Sequence, residues 1–591
     1  MSTRAFGSDQ TERNTFFPRL MGTRGAIACE HYLAAQAGAD LLKAGGNAVD
    51  AAVGATLVEG VVNPQMHTIG GECPMLIRMA GSGKVVSVNG NTAAPEAATP
   101  QAYRERGLSD VPQEGILAAG VPSALSALIT VLIEFGRLSF AEVSAAAVTL
   151  AREGVPVHRG LLRQPNYGLE ALREKFRRQW PASAELYLPE GKLPGEGQIL
   201  ANPALAGVYE TLAAAERVPR GSREAGLRAA LDAFYKGDIA TEIARFCAEN
   251  DGFLARSDLE IFETRLEPPA RLDYRDTTVF KCGPWNQGPV MLQALAILER
   301  FDLAGMGHNS ADYVHTVIEA LKLAFADREQ FYGDPEQVDV PLAGLLAKPY
   351  AKLRAGLIDP DRAHAELRPG DPVAGKALLP AQRRLGGAGW GAGTVHVDVI
   401  DAEGNMAAFT PSGGWLRSSE VIRSLGFPLG NRLMTFYLEP DNHPNLVAPF
   451  KRPRTTISPS LAIRTGGAWM VFGSMGGDQQ DQWQLQYLIN RVVFGMTLQE
   501  AIEAPKFSSE HFTGFFAPHD RFPNRLRVEP RLGRAVLDEL ARRGHDLDIA
   551  GDWTEGYLLG ADRYPDTGIL EAGCDPRGGK SEVFPAFALC W

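Results

Sequence analysis

The sequence predicts an α+β protein, on three observations. Amphipathic helical patterns dominate the chain up to residue 331, alternating apolar strands set in at Thr394, and no internal repeat interrupts either texture. The 591 residues are 45% hydrophobic and 22% charged, enough to bury one large core or several. Residues 29–44 carry an amphipathic helical pattern that Gly45-Gly46 stops, and Asn47 offers a side-chain oxygen to cap a second helix over 48–62. Further helical patterns cover 123–134, 140–153, 203–217, 229–248, 290–300 and 311–331. Residues 258–274 read as a linker into a strand near 277–281. The stretch 367–384 is rich in Pro, Gly and charge without any period, so it reads as a mobile linker. Strands are expected at 394–401, 406–410, 459–464 and 469–472, followed by a helix over about 479–494.

The net charge of -11, with no basic stripe, argues against a nucleic-acid partner. Six cysteines (Cys29, Cys73, Cys247, Cys282, Cys574 and Cys590) are scattered without a C-x-x-C pair or metal-ligand spacing, which suits structural thiols in a reducing compartment. Neither the first ten residues nor any later run has the apolar length of a secretory signal or a membrane span, so a cytoplasmic location is expected. Neither a metal nor a cofactor is called for.

The junction Gly393-Thr394 carries the most chemistry. A loose run, Gly386-Gly387-Ala388-Gly389-Trp390-Gly391-Ala392-Gly393, feeds into the alternating strand that Thr394 opens. A threonine hydroxyl needs a neighbouring base to become a nucleophile, and a cut just before Thr394 would supply the residue's own α-amino group, with a pKa near ~8. The glycines would let the scissile peptide bend toward that hydroxyl. The same segment also reads as a flexible loop entering an ordinary strand. A second element, Gly473-Ser474-Met475-Gly476-Gly477-Asp478, links a strand to a helix. It lacks both the G-x-G-x-x-G spacing and the G-K-[ST] ending of nucleotide loops, but its backbone N–H groups suit an oxyanion.

Thr394 to Asp401 followed by Glu403-Gly404-Asn405, together with Gly45-Gly46-Asn47-Ala48, Ile69-Gly70-Gly71, Asp327-Arg328, Tyr332-Gly333-Asp334-Pro335, Arg452-Pro453 and Gly473 to Gly477, resembles the γ-glutamyltransferase (glutathione hydrolase) family over nearly the whole chain. The resemblance implies a four-layer αββα N-terminal-nucleophile hydrolase fold. It implies a precursor cut between Gly393 and Thr394 into a large subunit (1–393, ending in a linker over about 367–393) and a small subunit (394–591), the two forming one intertwined catalytic domain. Thr394 would then be the nucleophile, with Gly476 and Gly477 as oxyanion donors. The partner classes implied are a small-molecule amide and the two pieces of one precursor; a higher homo-oligomer stays open.

The substrate residues depart from the family pattern. Asn91 stands where an arginine clamps the glutamyl carboxylate, Met434 and Thr435 stand where an acidic pair holds the ammonium, and Thr455-Thr456 replace a serine pair. Ser412 keeps a downstream hydroxyl, while Gly414 replaces an asparagine. Val395 and Asp398 replace a threonine and a serine beside the nucleophile. Arg432, Arg452 and Arg454 are cations that could serve another anionic substrate. His396 shares a strand face with Thr394 and Asp398 and reads mainly as a core residue. The pattern resembles a divergent branch that includes oxamate amidohydrolases, and it favours hydrolysis of a small carboxylated amide over transpeptidation. Alternatives are a genuine γ-glutamyltransferase, a cephalosporin-acylase-type enzyme, or an inactive binding or scaffold relative.

Overall fold

Two antiparallel seven-stranded sheets form the middle of the molecule. The computed structural model describes residues 15–219, 221–374, 376–377, 393–581 and 585–591. The first sheet runs, in spatial order, Phe587–Cys590, Gly25–Cys29, Val397–Asp401, Met406–Phe409, Met75–Arg78, Val85–Asn89 and Arg265–Glu267. The second runs Leu20–Gly22, Ile569–Cys574, Leu558–Tyr564, Trp469–Ser474, Ser460–Arg464, Thr277–Lys281 and Ala270–Tyr274. Strands from before and after Thr394 therefore interleave in both sheets.

Side chains alternate across each strand, and the alternation builds the layers. Val397, Val399, Ala407 and Phe409 face a helical layer that includes Tyr32–Lys43, Ala48–Val62, Ala124–Phe135 and Phe140–Glu153. Ile400, Met406 and Ala408 turn the other way and pack on Leu461, Val471 and Ala561 of the second sheet. That sheet's far side, with Val279, Met470 and Phe472, is covered by Pro289–Leu298, Ala311–Phe331 and Gln480–Val492. The result is the αββα order of the N-terminal-nucleophile hydrolase fold.

Helices with explicit caps lie close to their predicted limits. Asn47 accepts from the N–H groups of Val49 and Asp50 at 2.9 and 3.2 Å while Asp50 accepts from Asn47 N–H at 2.8 Å, a reciprocal capping box that starts Ala48–Val62. Several expectations need correction. The helix expected over 29–44 begins only at Tyr32, because Gly25–Cys29 is a sheet strand. The single helix expected over 229–248 is two, Arg223–Tyr235 and Asp238–Glu249, separated at Gly237. Residues 258–274 are not a linker: the helix Arg256–Glu260 leads to strands Arg265–Glu267 and Ala270–Tyr274. Of the linker expected over 367–393, Gly370–Asp371 pairs with Lys376–Ala377, and the glycine-rich run 386–392 lies outside the described residues. All six cysteines are free thiols. Among the described residues no helix is long and apolar enough to cross a membrane.

Candidate active site

Thr394 sits at the entrance to the strand Val397–Asp401, third in the first sheet and flanked on both sides by paired strands. The regular ladder starts at Val397, while Thr394 makes one bridge, to Ser412, which in turn bridges Glu72. Three segments distant in sequence thus end side by side. Ser412 and Glu72 exchange backbone bonds of 2.9 Å each way, and Val395 N–H donates to Pro411 O at 3.0 Å.

The side chains join into one chain of contacts. Thr394 Oγ1 donates to the Gly393 carbonyl oxygen at 2.7 Å and lies 3.1 Å from Ser412 Oγ. Ser412 Oγ donates to the same carbonyl at 3.0 Å and accepts from Arg432 Nη2 at 3.0 Å. Arg432 Nε reaches Glu72 Oε1 at 2.6 Å. Both partners are buried, and burial raises the Glu72 carboxyl above its usual range although Arg432 pulls it down. Thr394 itself has 0% of its surface exposed.

His396 and Val395 tie this strand to the glycine turn of the other sheet. The His396 ring is held by Thr410 Oγ1 at 2.9 Å and lies 3.0 Å from Asp398 Oδ1, whose carboxyl is raised by burial against the pull of that ring. Its backbone N–H donates to Glu30 at 2.7 Å. A Cβ at Gly473 would stand 2.3 Å from the same ring, so the second sheet admits His396 only because position 473 lacks a side chain. Val395 packs with Met475. The turn beyond is therefore set beside Thr394. Gly476 and Gly477 have φ of 120° and 59°, a backbone that favours glycine, and among the described residues their N–H groups donate to no protein acceptor. Gln287 fixes the Gly477 carbonyl at 3.2 Å, and Asp478 is paired with Arg328.

Gly393, Thr394, Ser412 and Arg432 meet directly, with Gly476 and Gly477 on the adjoining turn. Asn91, Thr455 and Thr456 are buried as well: Asn91 Nδ2 donates to Pro453 O at 2.5 Å, Thr455 bridges Asn286 and accepts at its carbonyl from Gln287, the residue that also holds the Gly477 carbonyl, and Thr456 Oγ1 has no partner among the described residues. Of the other cations, Arg452 donates to the carbonyl oxygens of Asn89, Asn91 and Glu263, and Arg454 pairs with Glu329 at 2.8 Å. Both arginines hold the fold, although Arg454 Nε has no partner among the described residues.

Sequence reading missed Glu72, Tyr167, Trp415 and Arg417. Glu72 follows Ile69-Gly70-Gly71, and a carboxylate in so apolar a setting is a signal that a buried cation must face it. Trp415 lies edge-on to Tyr167 with ring centres 5.3 Å apart, and Arg432 and Arg417 stand over these rings at 5.1 and 5.0 Å. Burial raises the Tyr167 phenol, opposed by Arg417, Arg432 and the Gly393 backbone. A cleft of about 360 Å³, edged by Tyr167, Met475, Gly476 and Trp483, opens beside the turn. Among the described residues no cluster of His, Cys, Asp or Glu could hold a metal ion. The arrangement can deliver a hydroxyl to a carbonyl and supply backbone donors to the charge that develops there.

A family model described as Gamma-glutamyltranspeptidase matches residues 34–584. The chain is 31% identical over 574 residues to the Glutathione hydrolase-like YwrD proenzyme of Bacillus subtilis, covering 95% of this chain and 99% of that protein. It is 30% identical over 565 residues to the Oxamate amidohydrolase proenzyme of Klebsiella pneumoniae, covering 94% and 98%. A solved structure described as LmbA2991T421A matches with a TM-score of 0.90 at 40% identity, over 98% of this chain and 100% of that one.

Proposed function

The chain belongs to the gamma-glutamyltranspeptidase family and is an enzyme of it; we propose that it cuts itself between Gly393 and Thr394 and then hydrolyses an amide with the freed threonine. The observation that carries this reading is the 2.7 Å approach of Thr394 Oγ1 to the Gly393 carbonyl, with Ser412 Oγ on the same oxygen at 3.0 Å. In the intact chain Oγ1 attacks the Gly393 carbonyl carbon, the Gly393–Thr394 C–N bond breaks, and the hydroxyl proton ends on the Thr394 nitrogen. Water then cleaves the resulting ester. The pieces 1–393 and 394–591 stay joined because their strands alternate in both sheets.

In the second reaction the free amine of Thr394 takes the proton of its own Oγ1 as the oxygen attacks the substrate carbonyl. The N–H groups of Gly476 and Gly477 face the oxyanion, each such donor being worth ~3 kcal/mol in the transition state. The amine returns the proton to the leaving nitrogen, and water releases the acyl group in preference to a second amine.

A carboxylated acyl group fits the charges best. Met434 and Thr435 carry no charge, and Glu72, which reaches the Thr394 site through Arg432, is already paired with that arginine, so a substrate ammonium there would be desolvated without a partner. Arg432 keeps Nη1 unpaired among the described residues and can take an anion. The name of the Klebsiella relative points the same way. The test has two readings. Purified protein should resolve into two pieces, the smaller with threonine at its N-terminus, whereas Thr394→Ala stays one chain. Processed enzyme should show a higher kcat/KM for oxamate than for glutathione; a wild-type chain that never cuts, or a clear preference for glutathione, rejects the respective half.

A further inference from the structure

The cleft beside Gly476 is far too large for a primary amide alone. Its 360 Å³ falls within the ~300–1,000 Å³ of pockets that bury drug-sized ligands. At ~30 Å³ each it would hold about 12 water molecules. Its walls are rich in aromatic rings: Tyr167, Trp483, Phe515, Phe516, Phe522 and Tyr557 all line it. Of its four acids, Asp478 pairs with Arg328 and accepts from Phe515 N–H at 2.9 Å, and Glu555 pairs with Arg527 at 2.6 Å, while Glu510 and Asp520 leave the lining with an acidic balance. The surface offers ring faces and a negative field that suit the amine side of a substrate. Among the described residues that line it, Gln164 Oε1 and Trp483 Nε1 are the buried side-chain polar atoms left over. Trp483 Nε1 is buried without a partner among the described residues, although the residue lines the cleft, and the Trp483 ring lies against Gly476 so closely that a Cβ there would be 2.6 Å away. An unmade indole N–H bond at such a wall calls for a ligand acceptor.

Tyr167 and Phe516 also line a second, much smaller recess, shared with Trp415, Arg417 and Asn431. That recess includes Trp415, whose ring Arg432 stands over, and the cleft includes Gly476.

We propose that the cleft binds an aromatic body carried on the amine side of the substrate, so that the amide cleaved is an N-aryl or N-arylalkyl amide. The inference rests on the amidohydrolase reading above and specifies its leaving group: the C–N bond breaks, the aryl amine departs with the proton held by Thr394, and water completes the acid. The carboxylated acyl part lies toward Arg432, and the ring stacks in the cleft against the Trp483 indole, whose N–H is open to its π face or to an acceptor it carries.

The test uses two substrates that share one acyl group, oxamate and oxanilate, the latter differing only by an N-phenyl ring. Processed wild-type enzyme should favour oxanilate in kcat/KM by about tenfold or more, the equivalent of ~1.4 kcal/mol. Phe522→Ala should lower that ratio about tenfold by the same measure, and Trp483→Phe, which keeps a ring and deletes the N–H, should lower it less. In parallel, 1-naphthylamine is titrated calorimetrically into wild type and both variants. Naphthylamine binding that weakens in Phe522→Ala supports the cleft even if neither oxalyl amide turns over, an outcome that would reject only the acyl assignment. Equal kcat/KM for the two substrates, or naphthylamine binding indifferent to both substitutions, overturns the proposal.

Discussion

Replacing Ser412 with alanine isolates the step in which the chain cuts itself. The Gly393 oxygen accepts from Thr394 Oγ1 at 2.7 Å and from Ser412 Oγ at 3.0 Å. Once Oγ1 turns to attack the carbonyl carbon its bond to that oxygen is lost, and Ser412 becomes the donor that meets the developing negative charge. Arg432 Nη2, 3.0 Å from Ser412 Oγ, strengthens the donor by drawing on its lone pair. Removing one donor from an oxyanion site slows a reaction by ~10²–10³, or ~2.7–4 kcal/mol. Ser412→Ala should therefore lengthen the half-time of processing by about that factor, whereas Ser412→Thr, which keeps the hydroxyl, should fall between it and the wild type. The assay is a time course of freshly translated chain, resolved by denaturing gel and intact mass. Cleavage of Ser412→Ala at the wild-type rate would refute the assignment of Ser412 and leave the carbonyl geometry without a role in processing.

Two further outcomes follow from the packing. Gly473→Ala places a methyl 2.3 Å from the His396 ring; overpacking of this kind costs ~1–3 kcal/mol, and adding His396→Ala should recover part of the loss in a double-variant urea cycle. Strictly additive effects would mean that the ring and the glycine do not meet. The second concerns Glu59, whose carboxyl burial pushes up to about 7 despite bonds from Asn63 and the His31 N–H. A carboxyl raised in the folded state gives stability that is complete below its unfolded pKa near 4.5 and is lost as pH rises through about 7. Melting temperature should accordingly fall between pH 5 and 8, and Glu59→Gln should flatten that slope; parallel curves would contradict it.

How much of this was legible in the sequence depended on whether the deciding partner lay nearby in the chain. The helices Ala48–Val62, Phe140–Glu153 and Ala311–Phe331 were readable because their caps are local: Asn47 with Asp50, Ser139 with Glu142, and Ser310 with the Tyr313 N–H. Gly25–Cys29 was not read as a strand, and its last residue was taken into the helix expected over 29–44, because a five-residue apolar run has no period of its own. Its strand state comes from pairing with Val397–Asp401 on one side and Phe587–Cys590 on the other, both remote in sequence.

The site obeyed the same division. Thr394 and the glycine turn announce themselves through local chemistry, since a hydroxyl after a flexible run and paired glycines before a helix are readable one segment at a time. The three arginines were not separable that way. Arg432, Arg452 and Arg454 look equivalent as sequence, yet each is assigned by what it meets: carbonyl oxygens for Arg452, Glu329 for Arg454, and Glu72 with Ser412 for Arg432. All three guanidinium groups are already bonded to carbonyls or a carboxylate, so the cost of breaking those bonds does not separate them; the hydroxyl that Arg432 reaches does. Only Arg432 couples to the Thr394 hydroxyl through Ser412. On the proposed reading its charge serves both that hydroxyl and the substrate anion, so exchanging it for glutamine should slow processing and weaken substrate binding together.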